Sequence, residues 1–407
     1  SWKSGKYNSR KAQGGMRTTP MPWLLMVASL VGAWRDMEIE KLPGLGASES
    51  VEAWFERTTH NKSVPDIAWW QYQQEVLVLC EPLWQLVNER KRLADYDYWE
   101  LWQQRMPQFG HFVYVPLPWH HIVEQHGMLL KDYGPLRQTS ELFSRLDFER
   151  YDHFITLGQA SYRQISKYCT RGGFTFQHFE KLALIFTSRL ENLDRVALNE
   201  PLVRQEVPIP LLYRRDHEAM PHGQLTKKPA AFFAGSCTCP MRRKLTPIAT
   251  AREYDMRQVH PCGKKVTRQL YLNLVANSSW VLTPRGSFPA TYMMSEAIQA
   301  GSLPVYIYGP KYDSPKLLPP VHFVAKHLPF VNIGIDWRDF AVVLTADYIP
   351  RLPQILSELN PVPRLCTIRR FRPLFTVEGT FRYILAVLSH YSLSLEKGNR
   401  GKERHPR

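Results

Sequence analysis

The stretch from Ser278 to Pro310 constrains the fold of this chain more than any other. SSWVLTP (278–284) reads as a strand, RGSFPA (285–290) has the composition of a loop, and TYMMSEAIQAG (291–301) reads as a helix stopped by glycine. SLPVYIYGP (302–310) is then a second apolar strand. Two strands joined by a helical crossover must run parallel, because a tight turn can only connect antiparallel neighbours. The unit therefore predicts an α/β fold built on a parallel sheet.

Other segments extend that pattern in both directions. Upstream, GHFVYVPLPW (110–119) and YDHFITLG (151–158) read as strands, and PAAFFAGS (229–236) as a buried strand ending at glycine. QASYRQISKY (159–168) reads as a helix, FEKLALIFTSRLENL (179–193) as an amphipathic helix, and VPIPLLY (207–213) as a short strand opening the passage to a second domain. MRRKLTPIATARE (241–253) can be helical except at Pro247, and WRDFAVVLTA, IPRLPQILSEL and FRYILAVLSHY complete the carboxy-terminal part. At 407 residues the chain is long enough for two cores. The expected division is 1–35 for a basic tail with an apolar segment, 36–205 and 206–392 for two α/β domains, and 393–407 for a second basic tail.

The formal charge of +15 is unevenly placed. Residues 1–17 carry +5 and residues 397–407 carry +4, while the segment 204–268 alone holds +8. Everything else sums to about −2. A nucleic-acid protein more often spreads basic and aromatic residues over one whole face, so no nucleic-acid partner is expected. A polyanion binder acting through its tails remains an alternative.

From Thr18 to Trp34 the sequence runs without a charge between the basic tail and Arg35-Asp36, as in a signal peptide or signal anchor. The alternative is an apolar segment packed on a domain. Asn61-Lys62-Ser63 is a glycosylation sequon. The six cysteines form no standard zinc module, and Cys237, Cys239 and Cys262 point to a structural role or disulfides.

Ligands of parallel sheets bind beyond the carboxyl ends of the strands, where loops enter helices. Pro284-Arg285-Gly286 places a guanidinium and a side-chain-free backbone there, a combination suited to a diphosphate. Glu296, a turn into the following helix, could accept hydrogen bonds from two ribose hydroxyls. The bland reading of both is a surface turn arginine and a solvated glutamate.

This stretch resembles the exostosin-like glycosyltransferases, family 47 of the glycosyltransferases. The resemblance rests on Pro284 to Gly286, on Glu296, Ala297 and Gly301, on Leu303 to Val305, on Pro329-Phe330 and on Asp336-Trp337. FFAG (232–235) with Arg242 and Arg243, FVYVPL (112–117) and YDHFITL (151–157) resemble the family upstream. Two departures stand out. Met293 occupies the place of a family arginine, and Gly158-Gln159-Ala160 replaces a His-Asp pair common in the family.

The resemblance implies a GT-B architecture, with two Rossmann-like domains facing a cleft. It implies a nucleotide-sugar donor on the carboxy-terminal domain, a glycan or polysaccharide acceptor on the other, and inversion at the transferred sugar. It also implies a Golgi or secretory location, with the apolar segment as a type II anchor, and no metal or other cofactor. The leaving diphosphate would then be neutralised by Arg285, Arg242, Arg243 and the helix terminus. The general base should come from the acceptor side, where His120, His121, Asp152 and His153 stand near ends of expected strands. Trp69, Trp70 and Trp119 are candidate platforms for sugar faces. A catalytically inactive partner or glycan-binding protein is the competing reading.

Overall fold

The computed structural model describes residues 43–59, 66–87, 94–105, 112–158, 160, 165, 177–197, 206–212, 227–309 and 319–403. The basic amino-terminal tail, the apolar segment 18–34, the sequon and almost all of 159–168 lie outside these residues. Among the described residues no helix is long and apolar enough to cross a membrane.

Two sheets, each wholly parallel, organise the described chain. The first holds β1 (Phe112–Tyr114), β2 (Asp152–Leu157), β3 (Leu184–Thr187) and β4 (Glu206–Pro208) in that order. The second holds β5 (Lys228–Phe233), β6 (Asp255–Val259), β7 (Ser278–Pro284), β8 (Leu303–Tyr308) and β9 (Val342–Thr345), ordered β6-β5-β7-β8-β9. Every residue of β7 and β8 is buried. A strand covered on both faces has no solvent side to alternate with, hence the apolar centres 280–282 and 305–308, while Ser278, Ser279 and Thr283 are buried polar residues.

β1 is an edge strand, and its free side is closed by one helix, Ile67–Trp84. Asp66 caps that helix by accepting from the Ala68 amide. Gln73 exchanges two hydrogen bonds with the Tyr114 backbone, at 2.8 and 3.0 Å. Trp69 and Trp84 donate their indole N–H groups to the carbonyls of Phe112 and Pro116. These side chains take the place of a further strand and leave no open ladder for another chain to extend.

Three expectations are corrected. The stretch 179–193 is not one helix: it contains β3, preceded by the short helix Gln177–Glu180 and followed by the helix Glu191–Ala197. Its apolar residues are consecutive because β3 is buried on both faces, and a consecutive run also satisfies helical spacing. The strand in VPIPLLY pairs with β3 and is the last strand of the first sheet, so it does not open the second. The helix Val377–Glu403 runs into the basic carboxy-terminal segment. MRRKLTPIAT, expected to be helical except at Pro247, is helical through it, within the 3₁₀ helix Pro240–Thr250.

The ends of the described chain cross over. The Leu45 amide donates to the Ile333 carbonyl, and Arg370 donates to the carbonyls of Gly46 and Glu49. Phe381, in the last helix, packs edge-on against Trp102 with centroids 6.4 Å apart. Trp102 in turn lies on Tyr114 and Phe154 of the first sheet.

Candidate active site

Strand order in the second sheet reverses at β5: the chain steps to β6 on one side and then to β7 on the other. Loops leaving β5 and β7 at their carboxyl ends therefore diverge, and the crevice between them is where parallel sheets hold ligands. A cavity of about 760 Å³ occupies that crevice, walled by Ala234 to Ser236 after β5 and by Gly286 to Phe288 after β7. Its size falls within the roughly 300–1,000 Å³ of small-molecule sites.

Arg242 ties the two loops together. Its Nε donates to the Arg285 carbonyl at 2.9 Å, Nη1 to Ser236 at 3.0 Å and Nη2 to Pro284 at 3.1 Å. Gly235 and Gly286 flank it so closely that a methyl group on either would stand 3.2 Å from the guanidinium. Burial lowers the pKa of Arg242, yet an arginine stays charged at any physiological pH.

A third loop, after β6, joins the same rim. Cys237 and Cys262 form a disulfide, and the Gly263 amide donates to the Gly235 carbonyl at 2.7 Å. Gly263 has φ +85°, a left-handed turn that suits glycine. The loop places Lys264 and Lys265 on the cavity wall and leads to Thr267, whose hydroxyl caps the helix Arg268–Asn277. Arg268 and Tyr271, one turn apart, both reach Glu296: Arg268 Nη1 donates to Oε1 at 2.7 Å and the Tyr271 hydroxyl donates to Oε2.

The first sheet supplies the opposite wall, through Glu124, Arg189 and Leu211. Glu124 lies in the first turn of a π-helix, His121–Leu130. Arg189 donates to Glu124 Oε1 at 3.0 Å and stacks 3.5 Å above the Phe288 ring. His120 Nδ1 stands 3.1 Å from Glu124 Oε2. Five cationic residues line the cavity, Arg189, Arg242, Lys264, Lys265 and Arg268, against the carboxylates Glu124 and Glu296. Such an excess favours a ligand carrying two or more negative charges. Among the described residues no three His, Cys, Asp or Glu side chains converge as metal ligands do.

Of the residues expected from sequence, Arg242, Gly286 and Glu296 line the cavity, with Met293 beside them. Arg285 does not. It is fully buried and points into the protein, paired with Asp194, because a strand-end arginine can satisfy its fork internally when a carboxylate faces it. Burial works against its charge, but the Asp194 pair outweighs this and raises its pKa. Arg243 is exposed and lies off the cavity wall.

The candidate bases are also dispersed. Asp152 and His153 begin β2 and so lie at the amino edge of the first sheet, the end opposite the one where parallel strands present ligands. His153 is buried, with Nε2 2.9 Å from the Tyr72 hydroxyl, and burial pushes its pKa down to about 4. His120 and His121 line a separate void of only about 10 Å³ beside Trp84 and Asp95. Trp69 and Trp119 are core residues, whereas Trp70 is half-exposed. Sequence reasoning passed over Glu124 and Arg189, and also Lys264, Lys265, Arg268 and Tyr271; its one signal for the last group was the basic excess in 204–268.

The chain matches a family model, described as the exostosin GT47 domain, over residues 151–359. That stretch contains all of the second sheet and three of the four strands of the first. A probable glycosyltransferase of Arabidopsis thaliana is 28% identical over 140 residues, which make up 34% of this chain and 23% of that protein. The chain thus matches about a quarter of the length of this curated relative.

Proposed function

This chain belongs to the exostosin GT47 family, and on that premise we propose that it transfers a sugar from a nucleoside diphosphate donor, a UDP-sugar, to a hydroxyl of a glycan or polysaccharide. The observation that carries the proposal is the cationic cavity at the reversal point of the second sheet. The diphosphate lies against Arg242, Lys264, Lys265 and Arg268 and the backbone of Gly235 and Gly286, with Glu296 accepting from the ribose. Protein cations neutralise the leaving group without a metal. The two parallel sheets and the cavity walled by both support a GT-B arrangement, with the acceptor approaching from the first-sheet side and the anomeric centre inverted by direct displacement. A hexosyl or glycuronosyl group is the sugar transferred.

Met293 stands where the family resemblance expects an arginine, and a second cation is supplied from elsewhere: Arg268 reaches the same carboxylate one turn along that helix. The Cys237–Cys262 disulfide supports a secretory, Golgi-type location. Met293 also favours a second reading, a glycan-binding partner that holds the nucleotide without turning it over.

Calorimetry with UDP, GDP and their sugars tests the donor site. UDP binding that falls at least about tenfold in Glu296→Ala, with the fold intact by thermal melting, is the expected result. Equal binding in wild type and variant overturns the assigned site. Nucleotide release from a bound UDP-sugar separates the transferase from the inactive partner.

A further inference from the structure

We propose that Glu124 is the general base of the transfer, held in place by His120 and Arg189; this rests on the donor-site reading above.

The argument runs by position and chemistry. A hydroxyl attacking the anomeric carbon loses its proton as the new bond forms, to a group on the side from which it approaches. With the donor on the loops of the second sheet, that side is the wall contributed by the first sheet, to which the described residues give Glu124, Arg189 and Leu211. Arginine cannot take up a proton at neutral pH, and leucine has no site for one. Glu296, the other carboxylate of the cavity, lies among the donor contacts and accepts from Arg268 and Tyr271. Among the described residues the base is therefore Glu124.

Its surroundings are those of an oriented side chain. Glu124 is four-fifths buried, fixed at Oε1 by Arg189 and approached at Oε2 by His120. Arg189 is itself clamped over Phe288, on the loop that also carries Gly286. One stack thus links the carboxylate to the donor loop across the cavity. The π-helix supports the same placement, since such turns gather at functional sites. His120 faces the small void behind and serves as a positioning residue.

In the step itself the acceptor oxygen forms a bond to the anomeric carbon while the bond from that carbon to the diphosphate oxygen breaks. The bonding pair leaves with the nucleoside diphosphate and the acceptor proton passes to a Glu124 oxygen. No oxidant or metal enters this balance.

The test follows nucleotide release from a panel of UDP-sugars and GDP-sugars by the full chain, with water and with a panel of oligosaccharide acceptors. Affinity for UDP is measured in parallel. Glu124→Gln is expected to lower turnover by about 10²–10⁴-fold at unchanged UDP affinity. It should also remove the acid limb of the pH–rate profile. His120→Asn should reduce turnover less and shift that limb.

Turnover equal in wild type and Glu124→Gln overturns the assignment and leaves the donor site standing, as does a wild type that binds UDP and turns over no sugar. A wild type without affinity for UDP or GDP overturns the donor site itself. If Glu124→Gln melts early, Glu124→Asp replaces it: the carboxylate, withdrawn by one methylene, should lose turnover at constant affinity, and full turnover in that folded variant counts against the proposal.

Discussion

Arg285 and Asp194 meet in a two-pronged ion pair, with Nη1 2.5 Å from Oδ1 and Nη2 2.9 Å from Oδ2. Arg285 leaves the end of β7 in the second sheet, and Asp194 lies in the helix after β3 of the first. Tyr308, at the end of β8, adds its hydroxyl to Asp194 Oδ1 at 3.1 Å. The pair therefore fastens an element of one sheet to an element of the other.

Removing one member of such a pair leaves the other charged and buried. Asp194→Ala is expected to lose about 3–5 kcal/mol of stability in urea unfolding. Arg285→Ala should lose a similar amount, and the double variant clearly less than the two added together. A single variant within about 0.5 kcal/mol of wild type contradicts this role.

The disulfide holds the loop that carries Lys264 and Lys265. Replacing both Cys237 and Cys262 by serine is expected to destabilise the chain by about 3 kcal/mol, given the 25-residue separation. UDP affinity should fall with it at temperatures where the variant remains folded. Calorimetry well below the melting midpoint separates the two effects.

Lys264 and Lys265 are exposed, so their attraction for a diphosphate acts through solvent and is screened by salt. Lys264→Ala with Lys265→Ala should weaken UDP binding several-fold at low ionic strength and much less at 0.5 M salt, with little change in melting. Affinity measured across a salt series decides this.

His153 makes stability depend on pH. His153 is buried with Nε2 2.9 Å from the Tyr72 hydroxyl, and burial is the main cause that disfavours its charged ring. The unfolded chain takes up a proton near pH 6.5, whereas the folded chain resists until about 4. Stability therefore rises with pH across that window and is lost on acidification, by on the order of 3 kcal/mol. The difference in unfolding free energy between pH 7 and pH 4 should shrink in His153→Phe. An unchanged difference refutes the account.

Legibility from sequence followed locality. β7, the helix Tyr292–Gln299 and β8 were readable because each is set by adjacent residues, and Gly286 and Glu296 fell where a parallel unit puts them. Arg285 was misread because its partner is 91 residues away. Glu124 carried no signal in its neighbours, since it belongs to the cavity only once the first sheet faces the second. The stretch 179–193 failed for a different reason: ALIF (183–186) is apolar at every position, and such a run fits both periods equally well.

The interlocked ends of the chain bear on how it is made. During synthesis Leu45, Gly46 and Trp102 emerge well before Ile333, Arg370 and Phe381, the residues that cover them. Trp102 packs on Tyr114 and Phe154, but its own cover by Phe381 arrives about 280 residues later in synthesis. The order of translation thus runs against the order of packing. The contacts of residues 45–49 and of Trp102 are completed only after residues 333–381 have been made, and until then those surfaces are open to other chains.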